Sequence, residues 1–355
     1  MTHRSISNKV PKTNFTNWLP TDGDTFATRE GFVFNVLGYE HPTDRVFAFL
    51  KYIPAGLKSQ FHIDYLENTW DYGQQKLFRA EKLYTAQNYQ DFLKTFGKSY
   101  PAYAYFCPFR EKEVISAPLS LIKQVFVPRE CLNRLTRLDS RDSLQETALR
   151  LVTRLSTESN INIEDFGIHG SIALNMHTPK SDIDLVVYGA QNFRKLETTI
   201  NMLVEADVLS FKFNNRLDAA RRHKGKYKNT VYMYNAVRKL EEINSRYGEL
   251  KYAPIIPVKF DCKIKDDSEA MFRPAIYKIE DYKPADVSSS LADDKIPELV
   301  TSMIGCYRNI ARKGGTVRVS GVLERVENLE TGHVFYQVVV GTGTSEEEHI
   351  WPLQP

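Results

Sequence analysis

The sequence predicts a multidomain α+β protein, and three observations lead to this prediction. The chain has 355 residues, 42% of them hydrophobic, which is enough to bury more than one core. Alternating apolar runs typical of β-strands occupy both the N-terminal and the C-terminal parts. Between them, an amphipathic helix precedes a short apolar strand that carries two aspartates.

We expect four segments. Residues 1–22, with Pro11 and Pro20, read as a loose lead-in. Residues 23–132 form an N-terminal α+β module, with strands at 31–37 and 45–53 joined by a hairpin at 38–44. Its aromatic and lysine residues could contact a nucleic acid, but an aromatic-rich core explains most of them. The central domain spans 133–268, and a mostly β domain spans 269–355.

The central domain begins with a helix at 143–155, whose apolar residues follow helical spacing. Residues 166–169 form a short strand, and Gly170-Ser171 turn the chain into a brief helix near Ile172. Glycine permits close approach of the backbone to a phosphate, and serine caps a helix whose free N–H groups attract anions. Thr178-Pro179 ends this helix. By itself, Gly-Ser before a helix is an ordinary cap.

Asp182 and Asp184 share one face of the next strand, because side chains alternate along a strand. Two adjacent carboxylates repel each other and are costly to desolvate, and a divalent cation removes both problems. Mg²⁺ suits a site where substrate phosphates and water complete the oxygen shell. Alternatively, the two acids face water at a strand end.

Gly170, Ser171, Asp182 and Asp184, with Ser181 directly before the acids, resemble the signature of the DNA polymerase β-like nucleotidyltransferase superfamily. The resemblance covers roughly residues 140–265 and does not define the acceptor. It implies a polymerase β-like palm with a mixed sheet, Mg²⁺ or Mn²⁺ as cofactor, and a nucleoside triphosphate held at Gly170, Ser171 and Ser181.

The resemblance also implies a third carboxylate on a later strand. Asp261 alternates with Val258, Phe260, Cys262 and Ile264 in the run 257–264 and is the expected third acid and metal ligand. It would act on the acceptor hydroxyl as a base or hold a second metal ion. Asp266 and Asp267 are close rivals, and a salt-bridged surface strand is the alternative.

A basic stretch lies between the acids. Its cations could neutralise a triphosphate, although charge runs are usually solvated helix faces. Arg221, Arg222 and Lys224 are the first candidates among Lys212, Arg216, Arg221, Arg222, Lys224, Lys226 and Lys228.

In residues 269–355, the sequence predicts strands at 275–279, 316–326 and 333–341 and a helix at 303–312. The Gly-rich run from Gly314 suggests a small OB-like barrel, a fold that often carries oligonucleotides but also serves as support.

The composition fits a cytoplasmic protein. The four cysteines are far apart and suggest neither a zinc site nor disulfides. No apolar run approaches membrane-spanning length, and no secretory leader is evident. The net charge of +3 is close to neutral, so nucleic-acid binding would need a local patch.

These patterns predict an enzyme that transfers NMP from an NTP to an acceptor hydroxyl and releases pyrophosphate. An RNA or DNA 3′ end is the favoured acceptor. Nucleotidyl transfer to a protein or a small molecule is the second possibility, and a non-catalytic nucleotide- or nucleic-acid-binding module is the third.

Overall fold

The computed structural model describes residues 18–353. Most of the predicted lead-in, residues 1–17, lies outside this range. Within its remainder, Trp18 Nε1 donates a 2.8 Å hydrogen bond to Asp24 Oδ2. None of the helices within 18–353 is both long enough and apolar enough to cross a membrane.

The N-terminal part is an eight-stranded antiparallel sheet with one long helix on one face. The predicted strands at 31–37 and 45–53 are present as a hairpin of β2 and β3, because their branched and aromatic residues suit a buried pleated surface. The strands are β1 (Thr25–Thr28), β2 (Val33–Val36), β3 (Arg45–Pro54), β4 (Trp70–Tyr72), β5 (Gln75–Phe78), β6 (Ala104–Cys107), β7 (Lys112–Pro118) and β8 (Ile122–Phe126), and the helix is α1 (Ala86–Ser99).

The central part is a five-stranded mixed sheet in the order β11-β12-β13-β10-β9. The predicted helix at 143–155 is present as α3, which starts with a capping box between Asp142 and Gln145. The elements are α2 (Pro128–Thr136), α3 (Ser143–Ser159), β9 (Phe166–His169), α4 (Gly170–Ala173), β10 (Ile183–Tyr188), α5 (Ala190–Glu205), β11 (Leu209–Phe211), α6 (Arg216–Arg221), β12 (Lys224–Tyr227) and β13 (Thr230–Val237).

The C-terminal part is a six-stranded sheet in the order β14-β15-β16-β18-β17-β19. An additional β14–β17 pairing closes five of these strands into a ring, and β16 and β18 are parallel. Apolar residues such as Phe260, Val300 and Val338 fill its interior. The strands are β14 (Leu250–Glu269), β15 (Ala275–Pro284), β16 (Leu299–Ser302), β17 (Thr316–Asn328), β18 (Val334–Val340) and β19 (His349–Pro352).

The three parts pack closely together. Ala27 and Tyr52 of the N-terminal sheet and Phe272, just after β14, belong to the same buried cluster as the central helices. A buried ion cluster adds a polar link, in which Asp22 lies 3.3 Å from Arg273 and 3.6 Å from Arg308. The central sheet is therefore held from both sides.

The predicted helix at 303–312 is wrong. Only Gly305–Tyr307 makes a single 3-10 turn there. Arg308 and Asn309 are buried and use their side chains in long-range hydrogen bonds to Asn235 and Glu197. Asn309 also has a φ of 58°, which no α-helix accommodates. Tertiary contacts therefore override the local helix pattern.

The strand predicted at 257–264 exists, but it belongs to a different sheet from the one expected. It is part of β14, whose ladder partners are β15 and β17. The expected boundary at residue 268 thus falls at the end of a strand that belongs entirely to the C-terminal sheet.

Candidate functional site

The two aspartates lie where β10 begins. Ile183, Leu185 and Val187 point into the buried core, so the alternation leaves Asp184 on the opposite face of the sheet. Asp184 pairs with His169 of the antiparallel β9 and with Met233 of the parallel β13. Asp182 immediately precedes the strand. The predicted strand and its acidic face are therefore present.

The pair is electrostatically unsatisfied. Burial and the neighbouring charge of Asp182 raise the pKa of the Asp184 carboxyl to about 6, and the positive charges of Lys51, Arg79 and Lys224 oppose that rise. Within residues 18–353, neither carboxylate accepts a hydrogen bond or has a cation within 4.0 Å. Two carboxylates without protein partners are the donor set that a hard divalent cation requires.

Gly170 lies directly against Asp184. Its φ of +65° lies in the left-handed region, and a Cβ there would lie 1.9 Å from Asp184 Oδ2. No residue with a side chain fits both constraints. The backbone turn into α4 is thus pressed against the carboxylate, with Ser171, which is 9% exposed, as the next residue.

Ser181 has a structural partner, and His169 lies beside Asp184. The Ser181 hydroxyl accepts a 3.0 Å hydrogen bond from the Thr178 backbone N–H and so closes the turn before the acids. His169 lies on the same face as Asp184, directly across the ladder. Burial and the charge of Lys51 lower its pKa to about 3, so the imidazole is neutral at physiological pH.

Of the three basic candidates, Lys224 is the one named among the main charges that act on Asp184. It sits on β12 opposite Met233, and its charge acts on Asp184. Arg221 is instead buried, where it hydrogen-bonds His223 Nδ1 at 3.2 Å. Arg222 is exposed, with its guanidinium 5.7 Å from the ring centre of Phe211.

The N-terminal part supplies two cations that the sequence did not point to, Lys51 and Arg79. Lys51 lies on β3 and Arg79 directly after β5. A lysine inside the apolar run 46–53 of β3 was the available signal, because lysine is rarely buried unless its charge is paired.

The fold does not bring Asp261 to Asp182 and Asp184. Its carboxylate receives two hydrogen bonds from Arg318, from Nε at 2.8 Å and from Nη2 at 2.9 Å, on the partner strand β17. This guanidinium lowers the pKa of Asp261. Its rivals are also paired: Asp266 lies 3.5 Å from Lys278, and Asp267 lies 2.8 Å from Arg194.

β13, the strand beside Asp184, offers no acidic residue in place of Asp261. β13 contains no acidic residue, and the positions that share the face of Asp184 are Val231, Met233, Asn235 and Val237. Asn235 accepts a 2.7 Å hydrogen bond from Arg308 Nη2. In the part of the chain that is described, no three His, Cys, Asp or Glu side chains are grouped as a metal site. The three-acid cluster expected from the resemblance is therefore not formed.

Comparison with known proteins identifies the central part. Residues 149–254 match the family model of the nucleotidyltransferase domain, and this match includes the Gly170 turn and both aspartates. This part of the chain is a nucleotidyltransferase domain of the polymerase β-like superfamily. The match ends before Asp261 and does not include Lys51 or Arg79.

A relative extends over nearly the whole chain. It is Uncharacterized protein MJ1086 of Methanocaldococcus jannaschii, 22% identical over 340 residues, which cover 90% of this chain and 94% of that protein. No solved structure matches the chain. The relative thus spans the N-terminal and C-terminal parts as well as the nucleotidyltransferase domain.

Proposed function

We propose that the protein transfers NMP from a nucleoside triphosphate to an acceptor hydroxyl and releases pyrophosphate. The observation that carries this proposal is a pair of carboxylates, Asp182 and Asp184, that have no partner within residues 18–353, with Asp184 pressed against the Gly170 turn of a nucleotidyltransferase domain. These two side chains fit a Mg²⁺ or Mn²⁺ ion that takes its remaining ligands from phosphate and water. When bound, the ion would neutralise charge on the phosphates and on the leaving pyrophosphate.

The chain's own cations would bind the triphosphate. Lys51 and Arg79 of the N-terminal part and Lys224 of the central sheet all act on the charge of Asp184. The backbone at Gly170 and Ser171 would cradle a phosphate, because no Cβ intervenes. The acceptor oxygen would then attack the α-phosphorus, the bond from that phosphorus to the pyrophosphate oxygen would break, and the hydroxyl proton would pass to water.

The acceptor that we favour is an RNA or DNA 3′ end. Support comes from the C-terminal strand ring, whose order β14-β15-β16-β18-β17 with parallel β16 and β18 favours the OB-like barrel that the sequence predicts. Such barrels commonly carry oligonucleotides on the outer face of their second and third strands, which here are β15 and β16. A protein or a small molecule remains the second class of acceptor.

A specific observation favours one alternative function, a non-catalytic nucleotide-binding module. No third carboxylate joins Asp182 and Asp184, and the adjacent strand carries Met233 and Asn235 at the corresponding face. A domain that only binds an NTP needs two metal ligands and the surrounding cations but no group that receives the acceptor proton.

The test is to incubate the protein with each α-labelled NTP, Mg²⁺ or Mn²⁺, and a panel of total RNA, single-stranded DNA and protein extract. We expect label to appear on a nucleic acid with stoichiometric release of pyrophosphate. Asp184→Asn should abolish labelling, whereas Asp261→Asn should keep it, because Asp261 is paired with Arg318.

The alternatives give different results. NTP binding that needs a divalent ion, without pyrophosphate release on any acceptor, would support the binding module and contradict the transferase. Labelling of a protein or a small molecule, with the nucleic acids unlabelled, would move the acceptor to the second class.

A further inference from the structure

The face of the central sheet that carries Asp184 continues past it towards the edge strand β11. In the strand ladders, Asp184 and Lys224 both pair with Met233, so the lysine lies two strands away at the level of the acid. Lys226 lies on this same face because side chains alternate along β12. Three strand spacings separate β10 from β11, which is a distance of about 14 Å.

This face carries lysines that no acidic side chain pairs with. Lys212 follows β11 and donates its backbone N–H to the carbonyl oxygen of Lys224 at 3.0 Å, so it lies at the outer end of the face. We call Lys212, Lys224 and Lys226 the lysine strip. Within residues 18–353, no carboxylate lies within 4.0 Å of these three ammonium groups. Asp218 is the one acid in 208–228, and it is engaged in a hydrogen bond with the turn before α6.

An exposed aromatic pair lies at the outer end of the lysine strip. Phe213 directly follows Lys212, is 47% exposed, and stacks on Phe211 with an interplanar angle of 19° and a ring-centre distance of 5.5 Å. The guanidinium of Arg222 lies 5.7 Å from the ring centre of Phe211. An exposed ring beside unpaired cations suits single-stranded nucleic acid, because a base stacks on the ring while the cations contact phosphates.

The lysine strip lies on the side of β10 from which an acceptor would approach. β9 and the Gly170 turn lie on one side of β10, and β13 and the lysine strip lie on the other. The proposed function places the phosphates at the Gly170 turn. In phosphoryl transfer, the attacking and leaving oxygens are roughly in line across the phosphorus. The attacking oxygen should therefore come from the side of β13.

We propose that the lysine strip binds the last few nucleotides of a single-stranded RNA or DNA acceptor. Phosphates contact Lys212 and Lys226, a base stacks on Phe213, and the 3′ hydroxyl lies over Met233, facing the acids. This inference rests on the proposed transferase function and adds the path of the acceptor to it. A length of about 14 Å holds roughly four nucleotides at the rise of about 3.4 Å of a stacked strand.

The experiment measures the fluorescence anisotropy of 5′-labelled RNA and DNA octamers with the full-length protein, without NTP and in EDTA. We expect Lys212→Gln and Lys226→Gln each to weaken binding about fivefold to tenfold and to reduce the slope of log affinity against log salt by about 0.7. Lys195→Gln is the matched control, because Lys195 is an exposed lysine of α5, which covers the opposite face of the same sheet. This control should keep the affinity and the salt slope of the wild type.

A second set of variants tests the stacking. Phe213→Ala should weaken binding of the octamer about tenfold, and Phe213→Trp should restore it, since stacking needs an aromatic face. Polyglutamate of the same total charge should compete poorly with the labelled octamer, because it offers charge without bases.

Crosslinking tests the direction of the strand. An octamer with a photoreactive 3′-terminal nucleotide should crosslink to the tryptic peptide 229–238, which contains Met233. An octamer with the photoreactive nucleotide four positions upstream should crosslink to the peptide 213–216, which begins with Phe213. The reverse pattern would place the 3′ end away from the acids and would overturn the proposal.

Three results in the binding experiment would also overturn it. They are an unchanged affinity of Lys212→Gln or Phe213→Ala, an equal loss of affinity in Lys195→Gln, and competition by polyglutamate as strong as that by unlabelled octamer. The last result would show that this face binds acidic polymers, including acidic proteins, without regard to bases.

Failure of this proposal is distinguishable from failure of the transferase function. Octamer binding that Lys212→Gln and Phe213→Ala weaken, without NMP transfer, would retain the lysine strip and reject the transferase. Transfer to an oligonucleotide whose KM is the same in wild type and Lys212→Gln would retain the transferase and reject the strip.

Discussion

The acids on β10 and the acid on β14 look alike in sequence but differ in structure. Asp184 and Asp261 both alternate with apolar residues along a strand. Asp184 has no partner among the described residues, and burial raises its pKa, whereas two hydrogen bonds from Arg318 hold Asp261 and lower its pKa. The first arrangement is electrostatically costly, and the second is a satisfied surface pair.

This difference shows how much can be inferred from the alternation of side chains along a strand. It defines the face of a strand on which a side chain lies, but it does not define which sheet the strand joins. β14 pairs with β17, some 60 residues later in the chain, and this long-range pairing moves Asp261 away from the central sheet. What distinguishes the two acids is whether a partner is present, and only the folded structure reveals this.

The largest expected effect is on catalysis. Asp184→Asn should reduce NMP transfer by about 10³-fold or more, since a bound metal ion contributes several kcal/mol to such reactions. Asp261→Asn should change the rate less than twofold. Rates of pyrophosphate release for the two variants check this prediction, and equal losses in both would remove the distinction between the two regions.

The second expected effect is steric. Gly170→Ala should destabilise the protein by about 3 kcal/mol, because left-handed strain and a clash with Asp184 Oδ2 add together. Gly332→Ala is the matched control: its φ is +70°, but no heavy atom lies within 4 Å of the added Cβ, so only about 1 kcal/mol is expected. Urea unfolding measures both, and equal losses would show that the Gly170 turn is not pressed against the acid.

The third effect is the pH dependence of stability, which has opposite signs for Asp184 and Asp261. The folded-state pKa of Asp184 is raised to about 6, so its contribution to stability falls as pH rises from about 4 to 6 and stays unfavourable above that range. In EDTA at pH 8, Asp184→Asn should therefore stabilise the protein by about 1 to 3 kcal/mol.

The folded-state pKa of Asp261 is lowered, so its favourable contribution exists at neutral pH and disappears as pH falls through that pKa. Asp261→Asn should destabilise the protein at pH 8 and have no effect at low pH. Thermal unfolding across this pH range measures both variants. The same sign of change at pH 8 in both would contradict the electrostatic comparison.

The smallest effect concerns nucleotide affinity. Lys224→Met should raise the Kd for an NTP about tenfold, because one charge-assisted contact contributes roughly 1.5 kcal/mol. The matched control is Lys226→Met. Lys226 lies on the same strand two residues away, is exposed, and is not among the main charges that act on Asp184. Calorimetry should find its affinity unchanged, and an equal loss in both variants would indicate a diffuse basic surface.

Local patterns accounted for much of the fold. The hairpin of β2 and β3, helix α3, and strands β9 and β10 with their acidic face all follow from spacing that is local in the sequence. The nucleotidyltransferase domain was recognisable from the Gly170-Ser171 turn and the two aspartates, and the family match confirms it.

What could not be predicted depends on contacts between distant segments. The helix expected at 303–312 is replaced by buried hydrogen bonds of Arg308 and Asn309 to the central domain. Lys51 and Arg79 act on Asp184 from the N-terminal part of the chain, and no local pattern relates them to it. Whether Asp182, Asp184 and Lys224 act in catalysis stays a prediction.

The most direct test is the binding of Mn²⁺ to the protein in the presence of a non-hydrolysable NTP, followed by electron paramagnetic resonance. We predict that the wild-type protein and Asp261→Asn bind Mn²⁺ with the same affinity, and that Asp182→Asn and Asp184→Asn lose this binding. Retention of Mn²⁺ by both Asp182→Asn and Asp184→Asn, or its loss in Asp261→Asn, would contradict the account.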